Sequence, residues 1–488
     1  MTRYAAMILI IYLPFLVVAR KECRVPVCQS QIGALHELIQ VTHHKVASLE
    51  NKLGAYHSDA LMSHSDALTV VNNQLSQMPS DAVAQSIKAS DIPYTINESG
   101  LYHLIESITL NSNQTAITIE ADNVVLDMQG LSITGSDQPG VNAAISVINS
   151  KNVGIFNGTI QNIDGSAIVV RNSAHILLEN FLTIANHGHG FMFDTVSSVR
   201  MAICSAAQNQ GHGIFVQSGK VVQCDRTYAL NNMLDGFNVA ADNATYTGCF
   251  GVENSGSGFM HMGNGISSVS CKAYRNGLHG LHCSTSTNIH MRDYMAHNNF
   301  SKGLQLSSSS EFRVEQSMIS SNSSDGIGIQ DCQNGSLVGC LIQKNQQHGV
   351  YGSGSDRIVI IQSDLHDNLS DGLHVANGLY WMIKKNNVQH NGASGIRFLG
   401  MHSSIEGNRS AHNGLGSIDQ YGIDIGLYGT TNELFGNRCK HNGASPGLPI
   451  GTDTNYSLGV SQSPISSAIG AQVFPGGGVG ALENITTT

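Results

Sequence analysis

The sequence predicts an all-β fold: a right-handed parallel β-helix solenoid built from 22–23-residue coils and preceded by a helical segment. Three observations carry the prediction. Glycines recur at a near-fixed step, at Gly190, Gly213, Gly236, Gly258, Gly280, Gly303, Gly326, Gly349, Gly372 and Gly395. An asparagine stands four residues before each, from Asn186 to Asn391. After each glycine an apolar–variable–apolar triplet follows, as in Ile214/Val216, Leu304/Leu306 and Ile396/Phe398. A period in the low twenties marks a solenoid, and the triplet has the period of a strand with one buried face. A second strand, as at Val359/Ile361, fits in the same repeat, and no stretch is long enough for a helix. At the corners, asparagine bonds neighbouring main chain and tolerates left-handed backbone, and stacked amides can bond one another along the axis. Glycine is expected there for a positive φ.

In chain order, residues 1–19 read as a secretory signal peptide. Arg3 is followed by an apolar run and by small residues at Val17-Val18-Ala19. The protein is therefore expected to be secreted, periplasmic or at the cell surface. Residues 20–90 hold a helical segment in which Ile32, Leu35, Ile39, Val46, Leu49 and Leu53 keep a and d spacing. It reads either as a cap on the open end of the solenoid or as a short coiled coil that makes a homo-oligomer. The β-helix is expected over 91–445, with about fourteen coils. The first register is the match of Ala144–Val147 to Ala167–Val170, and an enlarged coil after Asn413 has Gly422 as its glycine. Residues 446–488, rich in Gly, Ser, Pro and Thr, read as a cap or tail.

The chain carries 488 residues, a formal net charge of −10 and 22 histidines. That balance gives no reason to expect a nucleic-acid partner. Cys204, Cys249, Cys271 and Cys340 each lie nine residues before a repeat glycine, a place taken elsewhere by Ser317, Ser363 and Asn386. They are expected to form a buried ladder of small residues rather than disulfides, although Cys249 and Cys271 are close enough in register to bond. Cys23 and Cys28 could form a local or inter-chain bridge.

The Asn-x-x-x-Gly-apolar repeat resembles the pectin-lyase-like superfamily of parallel β-helices. The resemblance implies the fold. It also implies a range of roles, from polysaccharide lyases, galacturonases and epimerases to tailspikes and non-enzymatic surface proteins. Gly188-His189-Gly190 and Gly211-His212-Gly213 match one galacturonase motif, but the companion Asn-Thr-Asp, Asp-Asp and Arg-Ile-Lys motifs are absent, as is the Asp-Pro-His of alginate epimerases.

Equivalent positions in successive coils form columns. The position before the glycine reads His279, Lys302, Asp325, His348, Asp371. The outward position of the following strand reads His282, Gln305, Gly328, Tyr351, His374, Arg397. Asp325, His348 and Asp371 are the candidate catalytic residues, the two aspartates as a carboxyl pair flanking a glycosidic bond. Lys302, Tyr351, His374 and Arg397 are the candidate substrate contacts. The same column equally reads as a ligand-contacting face without catalysis, or as solvated turn residues. No cofactor is expected and no metal site is assigned, because strand alternation separates His282 from Cys283 and His43-His44 diverge on a helix. The expected function is binding, with or without cleavage or epimerisation, of a polysaccharide or cell-surface glycan along the lateral face. The alternative is a non-catalytic adhesin- or tailspike-like surface protein.

Overall fold

The computed structural model describes residues 84–110, 114–135, 140, 143–414, 421–426, 432–440, 442 and 456–458. The expected signal peptide, most of the helical segment with Cys23 and Cys28, and most of the C-terminal stretch lie outside these residues. The described chain is a parallel β-solenoid of about 14 coils. It contains one 3-10 turn at Ala89–Asp91 and no α-helix among the described residues.

Many coils carry three strands rather than the two read from the pattern, and in others, such as Ile214–Asp225 and Leu281–Arg292, the first two run on as one. One coil runs Leu304–Ser307, Ser310–Glu315, Met318–Ser320, and the next runs Ile327–Gln330, Gln333–Val338, Leu341–Gln343. Every strand pairs in parallel with its counterpart one coil on, for example Ile327↔Val350 and Leu341↔Asp364. The third strand is short and only its centre, such as Ile319 or Ile342, points inward. A three-residue strand with one apolar position leaves too little periodicity to stand out in sequence. The sheet starts ahead of residue 91, since Gln85–Ile87 pairs with Tyr102–Leu104. It continues past 446, where Tyr456–Leu458 pairs with Ile423–Ile425.

All three corners use one device. A single residue in left-handed backbone turns the chain, and the residue after it points a small polar group inward. Before the second strand these pairs are Thr285/Ser286, Ser308/Ser309 and Asp331/Cys332. Before the third strand they include Gln316/Ser317 and Gln362/Ser363, and before the glycine Ser321/Asn322, Lys344/Asn345 and Asp367/Asn368. The ladder asparagines are therefore not the left-handed residues; the residue preceding each one is. Their side chains are buried and bonded. Asn345 Oδ1 accepts the backbone N–H of Asn322 (3.1 Å) and its Nδ2 (2.9 Å), while Asn345 Nδ2 donates to Asn368 Oδ1 (2.9 Å) and Ile319 O (3.4 Å). A buried amide so satisfied carries no desolvation penalty.

The repeat glycines also differ from expectation. None of those from Gly190 to Gly395 has a left-handed φ. They are required by space: a Cβ on Gly326 would lie 2.6 Å from Asn345 Nδ2 and 2.6 Å from Gly349 O. The glycine lets the asparagine ladder and the next coil's backbone close in.

The interior is apolar. Phe237 and Phe259 stack with centroids 4.6 Å apart, and Trp381 is buried, its Nε1 donating to Ser355 O at 2.7 Å. Gly352 makes room for the Trp381 ring, which a Cβ there would meet at 2.4 Å. Cys204, Cys224, Cys249, Cys271, Cys283, Cys332 and Cys340 are buried free thiols. Cys249 and Cys271 are not bonded to each other; the Cys249 N–H points at Cys271 Sγ, 3.4 Å away. Burial pushes the Cys204 thiol up to about 12 and raises Cys224, Cys249, Cys283, Cys332 and Cys340 as well; at Cys271 burial is outweighed by hydrogen bonds, first to Cys249, which lower it.

Candidate functional site

At several positions just before a repeat glycine, the backbone N–H is accepted by a side chain of the previous coil. His212 N–H donates to His189 Nδ1 (3.0 Å), Asp235 N–H to His212 Nδ1 (3.0 Å), and Ser257 N–H to Asp235 Oδ1 (2.7 Å). Further along, His348 N–H donates to Asp325 Oδ1 (3.2 Å), Asp371 N–H to His348 Nδ1 (3.3 Å), and Ser394 N–H to Asp371 Oδ1 (2.8 Å). This explains the two Gly-His-Gly matches: His189 and His212 are acceptors in a structural ladder. It also corrects the expectation that Asp325 and Asp371 stand on the surface. They are 4% and 0% exposed.

The outward column forms as expected, with Gln305↔Gly328, Gly328↔Tyr351, Tyr351↔His374 and His374↔Arg397 in register. Above the buried Asp371 carboxylate gather three groups. His374 Nδ1 is 3.0 Å and His348 Nδ1 3.3 Å from Asp371 Oδ2, and Arg397 Nη1 is 3.9 Å from the same oxygen. Tyr351 stacks on His348 with centroids 5.7 Å apart and lies 5.5 Å from His374. Lys302 Nζ is 3.4 Å from Asp325 Oδ2 and 5.8 Å from the Tyr351 ring. The missing side chain at Gly328 leaves the space into which Lys302 and Gln305 reach. Arg397 is held from the far side by Asp424 at 3.2 Å. Burial works to raise the Asp371 pKa, but its contacts with His348 and His374 and the Arg397 charge outweigh it and hold the carboxyl well below its ordinary range. All seven sequence-selected residues thus fall in one lateral strip.

A pattern that the column reading missed lies 136–137 residues upstream. His212-Gly-Ile-Phe215, Asp235-Gly-Phe-Asn238 and Ser257 align with His348-Gly-Val-Tyr351, Asp371-Gly-Leu-His374 and Ser394. The geometry is also duplicated. His212 Nδ1 is 3.4 Å from Asp235 Oδ2, Asn238 Nδ2 donates to that oxygen at 2.7 Å, and Phe215 stacks on His212 at 5.1 Å. At about 4.8 Å per coil, the two centres lie six coils, roughly 29 Å, apart on one face. The His–Asp–Ser frame is common to both, so it belongs to the fold. The outer groups differ. Phe215, Asn238 and Met260 upstream become Tyr351, His374 and Arg397 downstream. The repeat was visible in the sequence as His-Gly, Asp-Gly and Ser-Gly pairs at residues 212, 235 and 257 that recur at 348, 371 and 394.

Fold and strip together define a class: a parallel β-solenoid with a recessed polar centre built on one lateral column. The chain belongs to the right handed beta helix region family, whose model matches residues 60–246 and 302–460, more than half of its length. No curated protein sequence matches it. Among solved structures it is similar to the A-module of the Azotobacter vinelandii mannuronan C-5 epimerase AlgE4. The two share 16% identity over 70% of this chain and 90% of that one, with a TM-score of 0.41. The periplasmic alginate epimerase AlgG is also similar, at 14% identity over 67% of this chain and 78% of that one, TM-score 0.32. So is the tailspike protein 3 of bacteriophage CBA120, at 10% identity over 74% of this chain and 58% of that one, TM-score 0.36.

Proposed function

We propose that the protein binds a polysaccharide along the strip from Lys302 to Arg397, outside the cell that makes it. The observation that carries the reading is the pair of related centres. Where the shared frame is kept, the downstream copy replaces Phe215, Asn238 and Met260 with Tyr351, His374 and Arg397. Two of these exchanges, Phe to Tyr and Met to Arg, give an apolar side chain a hydrogen-bonding head, and the third puts an imidazole in place of an amide. Rings with polar tips suit a sugar, which offers apolar C–H faces and hydroxyl rims. The apolar N-terminal run supports export, and a glycan-bearing surface is where such a strip would act.

Cleavage or epimerisation of the polymer is supported by a second observation. His374 Nδ1 meets the ionised Asp371 carboxylate at 3.0 Å, which orients the ring and leaves its other nitrogen as a proton acceptor. Arg397 is placed to hold a uronate carboxylate beside it. Asp371 itself suits this supporting role better than that of an acid, because a carboxyl held ionised has no proton to give a leaving group.

The test uses variants that copy the upstream centre and so preserve the frame: Tyr351→Phe, His374→Asn and Arg397→Met, alone and combined. Against a panel of neutral and uronate polysaccharides, the triple variant should bind its responsive glycan at least about tenfold more weakly, roughly 1.4 kcal/mol. Binding equal to the parent would place the glycan site elsewhere. Turnover lost in His374→Asn while binding persists would mark an enzyme, and a parent that binds without turnover would mark a surface adhesin.

A further inference from the structure

We propose that His348, Asp371 and His374 form a binding site for a divalent transition-metal ion of the zinc type. The three residues offer ligand atoms that all lie within 4.8 Å of one another. Two of the separations are specific. His348 Nδ1 and His374 Nδ1 stand 3.3 and 3.0 Å from Asp371 Oδ2. A tetrahedral ion with bonds of about 2.0–2.1 Å needs ligand atoms about 3.3 Å apart, so those two edges are already formed. The imidazoles meet at 75° with centroids 4.7 Å apart, so they converge rather than stack.

The side-chain ladder supplies a comparison. His212 and His348 each accept the next coil's N–H on Nδ1, at 3.0 and 3.3 Å, and each Nδ1 lies close to a carboxylate oxygen, at 3.4 and 3.3 Å. An ion on that nitrogen would take the lone pair that accepts the N–H, so binding exchanges one ladder bond for a metal bond. The upstream centre has the same histidine and aspartate but Asn238 in the third place, whose amide nitrogen already donates to the carboxylate. Two good ligands and a donor do not hold such an ion, whereas two imidazoles and a carboxylate do.

The position of the site fits an ion with an open coordination place. Asp371 is at the floor, with 1% of its side chain exposed, while His348 and His374 keep 19% and 16%. The fourth direction therefore faces the strip and would take water or an acidic group of a ligand. Arg397, anchored by Asp424, would remain beside it. A dication and Arg397 over one ionised carboxylate leave the centre cationic, which favours an acidic sugar over a neutral one. An ion on His374 Nδ1 also displaces the Nδ1–H to Asp371, so metal binding and the base role of His374 exclude each other. The metal proposal shares residues with the glycan reading but is tested without any glycan.

Purified protein, stripped with chelator, would be titrated with Co2+ and then Zn2+, following the visible absorption of cobalt and the calorimetric stoichiometry. The parent should take up about one equivalent with the absorption of a low-coordinate Co2+ that Zn2+ displaces. His374→Asn, which copies the upstream centre and should fold, should bind about 100-fold more weakly or worse, since loss of even an outer-shell partner costs 10–100-fold. Asn238→His should gain a second equivalent. The proposal fails if the parent shows no such uptake, if His374→Asn binds as tightly as the parent, or if Asn238→His gains nothing.

Discussion

Asp371 is the residue on which the strip turns, and its two oxygens have different work. Oδ1 accepts the Ser394 N–H at 2.8 Å and holds the next coil, while Oδ2 faces His348, His374 and Arg397. Asp371→Asn keeps the first bond and removes the charge; Asp371→Ala removes both. Alanine leaves a buried N–H without an acceptor, which costs about 1–3 kcal/mol, so it should be the less stable of the two in denaturant unfolding. The pH dependence has a definite sign. The folded carboxyl is held below its ordinary 3.8. Its contribution is therefore complete above that value and fades as pH falls through it toward the depressed folded pKa. Acid titration of stability from pH 5 to 2 should be steeper in the parent than in Asp371→Asn. Equal slopes would show that the carboxylate is not held ionised.

At the scale of the coil, the asparagine ladder and the repeat glycine form one unit. Asn345→Ala would leave the buried Asn322 N–H without its acceptor and remove one of the two bonds of Asn322 Nδ2, while Asn368 Oδ1 keeps the N–H of residue 345. One stranded N–H and one lost amide bond should cost about 2–3 kcal/mol. Exposed Gln346, next in sequence, should change stability by less than about 0.5 kcal/mol when made Ala. Glycines separate into two kinds in the same way. Gly326→Ala places a Cβ 2.6 Å from a backbone oxygen that cannot move aside, and should destabilise strongly. Gly339 has φ +63° and its nearest neighbour is 4.0 Å away. The equivalent residues Gln316 and Gln362 hold the same conformation with side chains, so Gly339→Asn should be close to neutral. Thermal melts of the pair distinguish crowding from backbone conformation as the reason for a glycine, and a Gly326→Ala protein that melts like the parent would contradict the packing argument.

Across the whole solenoid, several histidines are held neutral by burial. His189, His261 and His279 are each lowered from 6.5 to about 4, in each case chiefly by desolvation. The folded state therefore refuses a proton that the unfolded chain accepts. Stability is complete above pH 6.5 and declines as pH falls toward 4. His261 is 1% exposed in the core and alone accounts for a loss on the order of 3 kcal/mol across that window. Unfolding free energies measured from pH 7 to 4 should fall steadily, and His261→Leu should flatten the decline. A stability profile level to pH 4 would mean that these rings take up protons without penalty. The seven buried thiols make a further test: reductant should leave the melting temperature of the described solenoid unchanged.

What the sequence determined by itself was the period and the columns it creates. The 22–23-residue period, the inward Asn345-type ladder, the Cys/Ser/Asn column and the outward row from Gln305 to Arg397 each place one residue per coil. Stacking at a fixed rise turns such spacing directly into neighbourhood. The short third strand was not legible, because a single inward residue has no period of its own. Nor was the reason for the glycines, since crowding by the next coil's oxygen leaves no mark within the repeat. The site was legible as a list of residues and not as a constellation. Whether Asp371 faced solvent or lay beneath His348, His374 and Arg397 depended on one backbone N–H, that of Ser394, needing an acceptor from the coil before it. Only the tertiary structure brings that N–H to the carboxylate. In doing so it turns an apparent surface charge into the buried floor of the strip, and shows that His212, Asp235 and Ser257 build the same floor six coils away.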